Sequence, residues 1–274
     1  MFYIKSTNNV KIAVWDWRPE GKETVVLVHG WPLSHKIFEY QIGRLCARGC
    51  RVVAIDLRGF GESDAPAAGY SYNEMATDLH QVVCALGLGE FTLAGFSMGG
   101  AVALRYMSLF QGKGVKRLML LAAAAPCWTQ RPGFPYGVTR SYADGLIRQA
   151  SIDRPKLAHA FCHEQLFACP QSEWAKNWFE DIALSASGLG TIQAAIALRD
   201  EDGRRDLGAV HVPTVVIHGG KDKVVPKELA MIQHKSIANS RMFTLTNSGH
   251  GVFYDELEKF NQIFLSSILG GGQS

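Results

Sequence analysis

Short runs of apolar residues recur along the chain, separated by residues that favour turns. The opening pair, residues 2–6 and 10–17, alternates apolar and polar positions around Asn8-Asn9, and this pattern predicts a β-hairpin. Later runs are continuously apolar, which is typical of strands buried on both faces of a parallel sheet. These predicted strands cover residues 24–28, 51–55, 91–95, 115–121, 214–217 and 241–245.

Helical patterns lie between the predicted strands, with apolar residues spaced three and four apart. The clearest windows are residues 35–48, 72–86 and 98–110. Strands that alternate with helices predict an α/β fold with a mostly parallel sheet, of about eight strands here, covered by helices on both faces.

The alternation stops between residues 127 and 209, a stretch that contains Trp128, Trp174 and Trp178 and several helical windows. We interpret this stretch as a helical cap inserted into an α/β core formed by residues 1–126 and 210–274. The glycine-rich tail, residues 270–274, is predicted to be flexible.

Composition narrows the class of protein. Apolar residues make up 47% of the 274 residues and the net charge is only +3, without a block of lysine or arginine. This indicates a globular chain and gives no sign of a nucleic-acid or anionic-membrane partner. The longest apolar run, about residues 118–125, is too short to span a bilayer, and the N-terminus lacks the zones of a signal peptide, so a cytoplasmic location is expected. The sequence leaves open whether the chain forms a homo-oligomer.

The six cysteines show no C-x-x-C pair and no zinc-finger spacing with histidine. In a cytoplasmic chain with a large core, they are expected to be free thiols. Neither a metal site nor an organic cofactor is expected.

The segment Gly95-Phe96-Ser97-Met98-Gly99 follows a predicted strand and precedes a predicted helix. It matches G-x-S-x-G, in which a serine on a sharp strand-to-helix turn is held above the sheet at a helix N-terminus. Glycines at positions 95 and 99 relieve crowding where backbones cross. An incidental serine in a glycine-rich loop is the alternative, but the flanking strand and helix favour Ser97 as a nucleophile.

Position in the sequence selects one histidine and one aspartate as the partners of Ser97. His250 lies in a glycine-flanked loop directly after the last predicted strand, and Asp222 lies in the turn after the 214–217 strand. Loops at the carboxyl edge of a parallel sheet face one crevice, so we predict His250 as the base and Asp222 as the acid that orients it. The alternative for Asp222 is a helix cap, and His218 is better explained as a packed residue. No motif surrounds His159, His163, His211 or His234.

Two backbone N–H groups are predicted to form an oxyanion hole. One belongs to Met98, directly after the nucleophile, and the other to Trp31, in the loop after the 24–28 strand. Pro32 has no N–H and cannot contribute.

Taken together, these motifs resemble the α/β-hydrolase family, in the branch of small bacterial carboxylesterases and cofactor-free haloperoxidases, or perhydrolases. The resemblance also rests on residues 56–63, Asp-Leu-Arg-Gly-Phe-Gly-Glu-Ser, and it covers nearly the whole chain except the cap. It implies that the 56–63 segment is a tight loop near the active site, in which Asp56 and Arg58 are structural rather than chemical.

The resemblance implies a serine hydrolase that cleaves small or short-acyl carboxylic esters through an acyl-enzyme. The alternative is a perhydrolase that makes peracids from a carboxylic acid and hydrogen peroxide, with the Trp31 carbonyl as a hydrogen-bond acceptor for peroxide. Lactone, amide or carbon–carbon bond cleavage is less favoured. A non-catalytic receptor on the same fold is disfavoured by the intact set of Ser97, Asp222 and His250.

Overall fold

The computed structural model describes residues 1–270, and within that range one eight-stranded sheet forms the centre of the molecule. Its strands are β1 (Phe2–Lys5), β2 (Lys11–Trp17), β3 (Thr24–Val28), β4 (Arg51–Ile55), β5 (Phe91–Phe96), β6 (Val115–Leu121), β7 (Thr214–Gly219) and β8 (Ser240–Leu245). The spatial order is β1-β2-β4-β3-β5-β6-β7-β8, in which β1 and β2 are antiparallel to their neighbours and the other pairs are parallel. The predicted α/β fold is confirmed.

Helices connect the strands. They are α1 (Glu39–Ala47), α2 (Tyr72–Ala85), α3 (Met98–Leu109), α4 (Arg140–Ile152), α5 (Arg154–Ala160), α6 (Glu173–Leu184), α7 (Gly188–Asp200), α8 (Lys227–Ser236), α9 (Val252–Asp255) and α10 (Leu257–Leu269). A π-helical turn, Phe161–Gln165, continues α5. The four helices α4 to α7 all lie in the connection between β6 and β7.

Side chains alternate between two hydrophobic clusters on opposite faces of the sheet. In β3, Val26 and Val28 pack into one cluster and Val25 and Leu27 into the other, and all four are fully buried. Helices α2, α3 and α8 contribute to the first cluster and α1 and α10 to the second. A strand covered by helices on both sides has no solvent-exposed face for polar residues, which explains its continuous apolar sequence.

No single helix among residues 1–270 is long and apolar enough to span a membrane. Helices α6 and α7 pass that test of length and composition only as a pair bent by 92°, and such a pair is weak evidence for a membrane span. The tail that the sequence predicts to be flexible lies, from residue 271 onward, outside the described residues.

Candidate active site

Ser97 occupies the turn between β5 and α3. Its backbone has φ 52° and ψ −118°, a conformation that residues other than glycine rarely adopt. The side chain is buried but lines a pocket, and it stands at the first turn of a helix of 12 residues, where the helix dipole favours a developing negative charge. The strained turn therefore presents the hydroxyl to the pocket.

Neighbouring glycines make this turn possible. A Cβ atom at Gly95 would lie 2.4 Å from the Gly99 carbonyl oxygen, and one at Gly99 would lie 2.3 Å from the His29 carbonyl oxygen. Both contacts are with backbone, which cannot move aside as a flexible side chain can. The two glycines thus allow α3 to begin directly against β5 and the end of β3.

The structure brings the three predicted triad side chains together. The distance from His250 Nε2 to Ser97 Oγ is 3.0 Å, and His250 Nδ1 lies 2.8 Å from Asp222 Oδ2. An ionised carboxylate can only accept hydrogen bonds, so Nδ1–H donates to Asp222 and leaves the Nε2 lone pair free to accept from the Ser97 hydroxyl. The side chains of His250 and Asp222 have no exposed surface.

The carboxylate of Asp222 is well prepared to stay ionised. Its Oδ1 accepts hydrogen bonds from the backbone N–H groups of Val224 and Val225 at 2.8 and 2.9 Å. Burial alone would raise the pKa of Asp222, but the charge and hydrogen bond of His250, with His218 and the Val225 N–H, hold that pKa below its ordinary value.

The predicted alternative for His218, a packed residue, matches its surroundings. Its ring is buried and its Nε2–H donates to the Val225 carbonyl at 3.1 Å. Burial lowers the pKa of His218, which favours the neutral ring beside the triad.

The loop that carries His250 is held by a residue that the sequence reasoning missed, Asp255. Its Oδ2 accepts hydrogen bonds from the N–H groups of Gly249 at 2.6 Å and Ala168 at 2.8 Å. The Gly251 N–H donates to the Leu166 carbonyl at 2.6 Å. These bonds join the base to the segment between β6 and β7. Asp255 lacks a motif, and only its place five residues after the base could have suggested it.

The two N–H groups predicted to form an oxyanion hole belong to Met98 and Trp31. Met98 is the first residue of α3, and in the described part of the chain neither its N–H nor that of Trp31 donates a hydrogen bond. The Trp31 loop is pressed against the serine, because a Cβ atom at Gly30 would lie 2.7 Å from Ser97 Cβ. Trp31 is held by its indole, which donates to the Thr191 carbonyl at 2.9 Å. Both N–H groups are therefore free to receive a ligand oxygen.

Asp56 braces the neighbouring loop. Its Oδ1 accepts from the N–H and the Nδ1–H of His35, both at 2.8 Å, while Oδ2 accepts from the Glu62 N–H at 2.9 Å. Arg58 donates two hydrogen bonds to the buried Asp78, both at 2.7 Å. All of these groups are engaged with the protein itself, which supports a structural role for Asp56 and Arg58.

A small pocket opens above Ser97. Its volume is small, about 20 Å³. The core contributes Trp31, Ser97, Ala124 and Val224, and the segment between β6 and β7 contributes Trp128, Tyr142, Leu146, Leu157, Phe161, Gln165 and Leu198. The lining is mostly apolar, so it suits a short hydrocarbon group. Donors that could hold a metal ion lie elsewhere, on the segment of α5 and its π-helical turn and on α6.

The chain is similar to known proteins in both sequence and structure. The family model of the alpha/beta hydrolase fold matches residues 23–257. The AB hydrolase superfamily protein YisY of Bacillus subtilis is 45% identical and covers 95% of this chain and 96% of its own length. Among solved structures, an esterase from Exiguobacterium antarcticum has a TM-score of 0.94 and 44% identity, covering 97% of this chain and 98% of its own. A bromoperoxidase from Bacillus anthracis has a TM-score of 0.92 and 32% identity, covering 98% and 99%.

Proposed function

Because the chain belongs to the α/β-hydrolase family, we propose that it is a serine esterase with Ser97 as nucleophile, His250 as general base and Asp222 as the acid that orients the base. The observation that carries this proposal is the continuous hydrogen-bonded chain from Asp222 through His250 to Ser97, with distances of 2.8 and 3.0 Å. Such a chain lets the hydroxyl lose its proton as it attacks.

In the proposed reaction, Ser97 Oγ attacks the ester carbonyl while His250 Nε2 takes the hydroxyl proton. The resulting oxyanion accepts hydrogen bonds from the N–H groups of Trp31 and Met98. The intermediate then collapses, the alcohol leaves with the proton from His250, and the acyl group stays on Ser97. Water, deprotonated by His250, attacks the acyl-enzyme. The bond from the acyl carbon to Ser97 Oγ then breaks, His250 returns the proton to Ser97, and the acid is released. Each proton is carried by a side chain of this protein.

We propose a small, short-acyl ester as substrate. The support is the small volume of the pocket next to Ser97, about 20 Å³, whose mostly apolar lining would have to move to admit a long acyl chain. We also propose that residues 127–209 act as the cap of the site, since this segment supplies seven of the eleven lining residues. A cytoplasmic location stays a prediction.

The test is hydrolysis of p-nitrophenyl acetate by the wild type and by Ser97→Ala, with Ser151→Ala on the surface as the matched control. We expect the wild type and the control to be active and Ser97→Ala to lose at least about 10³-fold in kcat. A phosphonate ester should label the wild type once, on the peptide that contains Ser97. An active Ser97→Ala protein, or a label on another peptide, would reject the assignment.

A second candidate is a perhydrolase, favoured by the similarity to the bromoperoxidase structure. Here hydrogen peroxide replaces water, so that its oxygen bonds to the acyl carbon, Ser97 leaves as the alcohol, and a peracid is released. The peracid oxidises bromide in solution, so bromination of monochlorodimedone with acetate, hydrogen peroxide and bromide tests this candidate beside ester hydrolysis. Loss of both activities in Ser97→Ala supports one shared acyl-enzyme, whereas bromination that survives the substitution would exclude it.

A further inference from the structure

Three side chains of metal-ligating type lie close together on α5, its π-helical turn and α6, and they are not part of the pocket lining. They are His159 in α5, His163 in the π-helical turn that follows it, and Glu180 in α6. One donor atom from each lies within 4.8 Å of the other two. The two imidazole rings stack with centroids 4.0 Å apart, and one nitrogen of each ring lies within 3.0 Å of the same Glu180 oxygen.

The contacts in this cluster are not fully explained by hydrogen bonds. Glu180 Oε2 accepts a hydrogen bond from His159 Nδ1–H at 3.0 Å. The same oxygen lies 2.8 Å from His163 Nε2, but the ring is not aligned to donate to it, so this buried nitrogen has no hydrogen-bond partner. A buried nitrogen without a partner is costly. The distances from the two histidine nitrogens to the Glu180 oxygen are close to those between ligand atoms that share one ion. In a tetrahedral zinc site, neighbouring ligand atoms lie about 3.3 Å apart.

A second carboxylate lies near His163. Its Nδ1 is 3.7 Å from Glu173 Oε2, which is longer than a hydrogen bond. Histidines that bind metal commonly donate their other ring N–H to a carboxylate, which orients the ring. Lys176 is paired with Glu173, and the ion pairs of Glu180 among the described residues are with His159 and His163.

We propose that this cluster is a binding site for a divalent transition-metal ion of the zinc type. The ligands are His159 Nδ1, His163 Nε2 and a carboxylate oxygen of Glu180, with solvent at the remaining position. Imidazole and carboxylate donors in this number suit zinc. Histidines four residues apart on one helical segment, with a carboxylate from the adjacent helix, would tie α5 to α6.

The position of the site indicates what a bound ion would affect. Leu157, Phe161 and Gln165 line the pocket from the same helical segment whose other side carries the two histidines. Directly after this segment, the Leu166 carbonyl accepts the hydrogen bond from Gly251, next to the proposed base. The ion would thus brace the pocket wall and the His250 loop from behind, without touching the reacting atoms.

Metal binding by the intact protein tests the proposal independently of any esterase activity. Isothermal titration with Zn²⁺ should give one site, and Co²⁺ should give the visible absorption of a four-coordinate ion. His163→Ala should weaken Zn²⁺ binding at least about 100-fold. Glu180→Gln, which keeps the side-chain shape, should also weaken Zn²⁺ binding. The control, His211→Ala, should bind Zn²⁺ as the wild type does.

Zinc should also raise the melting temperature of the wild type and of His211→Ala but not that of His163→Ala. Circular dichroism of each variant establishes whether it is folded. If His163→Ala is not folded, Glu180→Gln takes its place as the test variant. The proposal is overturned if the wild type binds no Zn²⁺ at about 1 mM, or if one equivalent still binds to the two ligand variants with unchanged affinity, which would place the ion elsewhere.

Discussion

At the scale of single residues, the tautomer of His250 depends on which atoms of Asp222 are already engaged. Oδ1 accepts from the Val224 and Val225 N–H groups, and Oδ2 accepts from His250 Nδ1–H. One carboxylate oxygen therefore stabilises the turn that contains Asp222, and the other determines the tautomer and orientation of the His250 ring. A substitution that removes only the charge should disturb the second function and spare the first.

Asp222→Asn is expected to lower kcat for p-nitrophenyl acetate by about 10⁴-fold. The amide oxygen must face the Val224 and Val225 N–H groups, so the amide NH₂ faces His250 Nδ1. Two donors cannot pair, and the ring must carry its proton on Nε2 instead, where it cannot accept the Ser97 proton. Steady-state kinetics, normalised to phosphonate-titrated sites, measure the effect.

Asp181→Asn, an exposed aspartate on α6, is the matched control and should retain full activity. A loss of less than tenfold in Asp222→Asn would show that another group orients the base. Circular dichroism should be unchanged, because the amide oxygen introduced by this substitution keeps the bonds that hold the turn.

The local sequence predicts Ser97, His250 and Asp222 because each lies at a strand end, where glycines or a tight turn must accommodate it. Asp255 and His35 carry no such mark, since the partners that reveal their roles, Ala168 and Asp56, lie elsewhere in the chain. The same holds for the cluster of His159, His163 and Glu180. The two histidines lie 21 and 17 residues before the glutamate, and their proximity depends on how α5 packs against α6.

At the scale of elements, a buried ion pair ties the loop after β4 to α2. Arg58 and Asp78 are 1% and 0% exposed, and a third Arg58 donor reaches the Gly69 carbonyl at 2.6 Å. A pair of this kind contributes little net stability, but removal of one partner leaves a buried charge uncompensated.

Arg58→Met is therefore expected to lower the free energy of unfolding by about 3–5 kcal/mol. Urea denaturation followed by tryptophan fluorescence measures the change, and the exposed Arg148→Met is the matched control. The double variant Arg58→Met/Asp78→Leu should recover part of the loss. Esterase kcat of folded Arg58→Met should stay within about twofold, since its partners lie outside the proposed triad; a collapse of kcat with unchanged stability would indicate a chemical role.

The elements differ in how far the sequence predicts them. The sequence predicts all eight strands. The hairpin strands β1 and β2 follow from alternation around Asn8-Asn9, and the central strands β3 to β7 follow from burial on both faces, which demands a mostly apolar run. The predicted helix at residues 35–48 instead begins with a 3₁₀ turn, His35–Phe38, before α1. Asp56 binds the His35 N–H and the Ser34 side chain accepts from the Lys36 N–H, and these contacts set the tighter turn. Helices α4 to α7 could be predicted only as a group, since their apolar faces meet each other and a pocket instead of the sheet.

At the scale of the whole molecule, the sheet edge carries the proposed chemistry and the segment between β6 and β7 supplies most of the pocket wall. Residue types at the sheet edge are constrained by proton transfer, whereas those of the wall are constrained only by shape. The sequence therefore predicts the reaction class better than the substrate. Acyl-chain preference should respond to substitutions in the wall that leave the proposed triad untouched.

Leu146→Ala, in α4, is expected to shift preference from acetate towards longer esters. Leu146 is half-buried and lines the pocket, so its truncation enlarges a space of about 20 Å³ with limited loss of core packing. Each extra methylene that fits is worth about 1–3 kcal/mol, so the ratio of kcat/KM for p-nitrophenyl hexanoate to that for the acetate should rise about tenfold or more. Leu189→Ala makes the same truncation at a side chain that is 40% exposed and outside the lining, and should leave the ratio unchanged. If both variants shift the ratio equally, general loosening of the segment, and not pocket shape, determines the chain-length preference. That result would indicate that the acyl group is bound elsewhere.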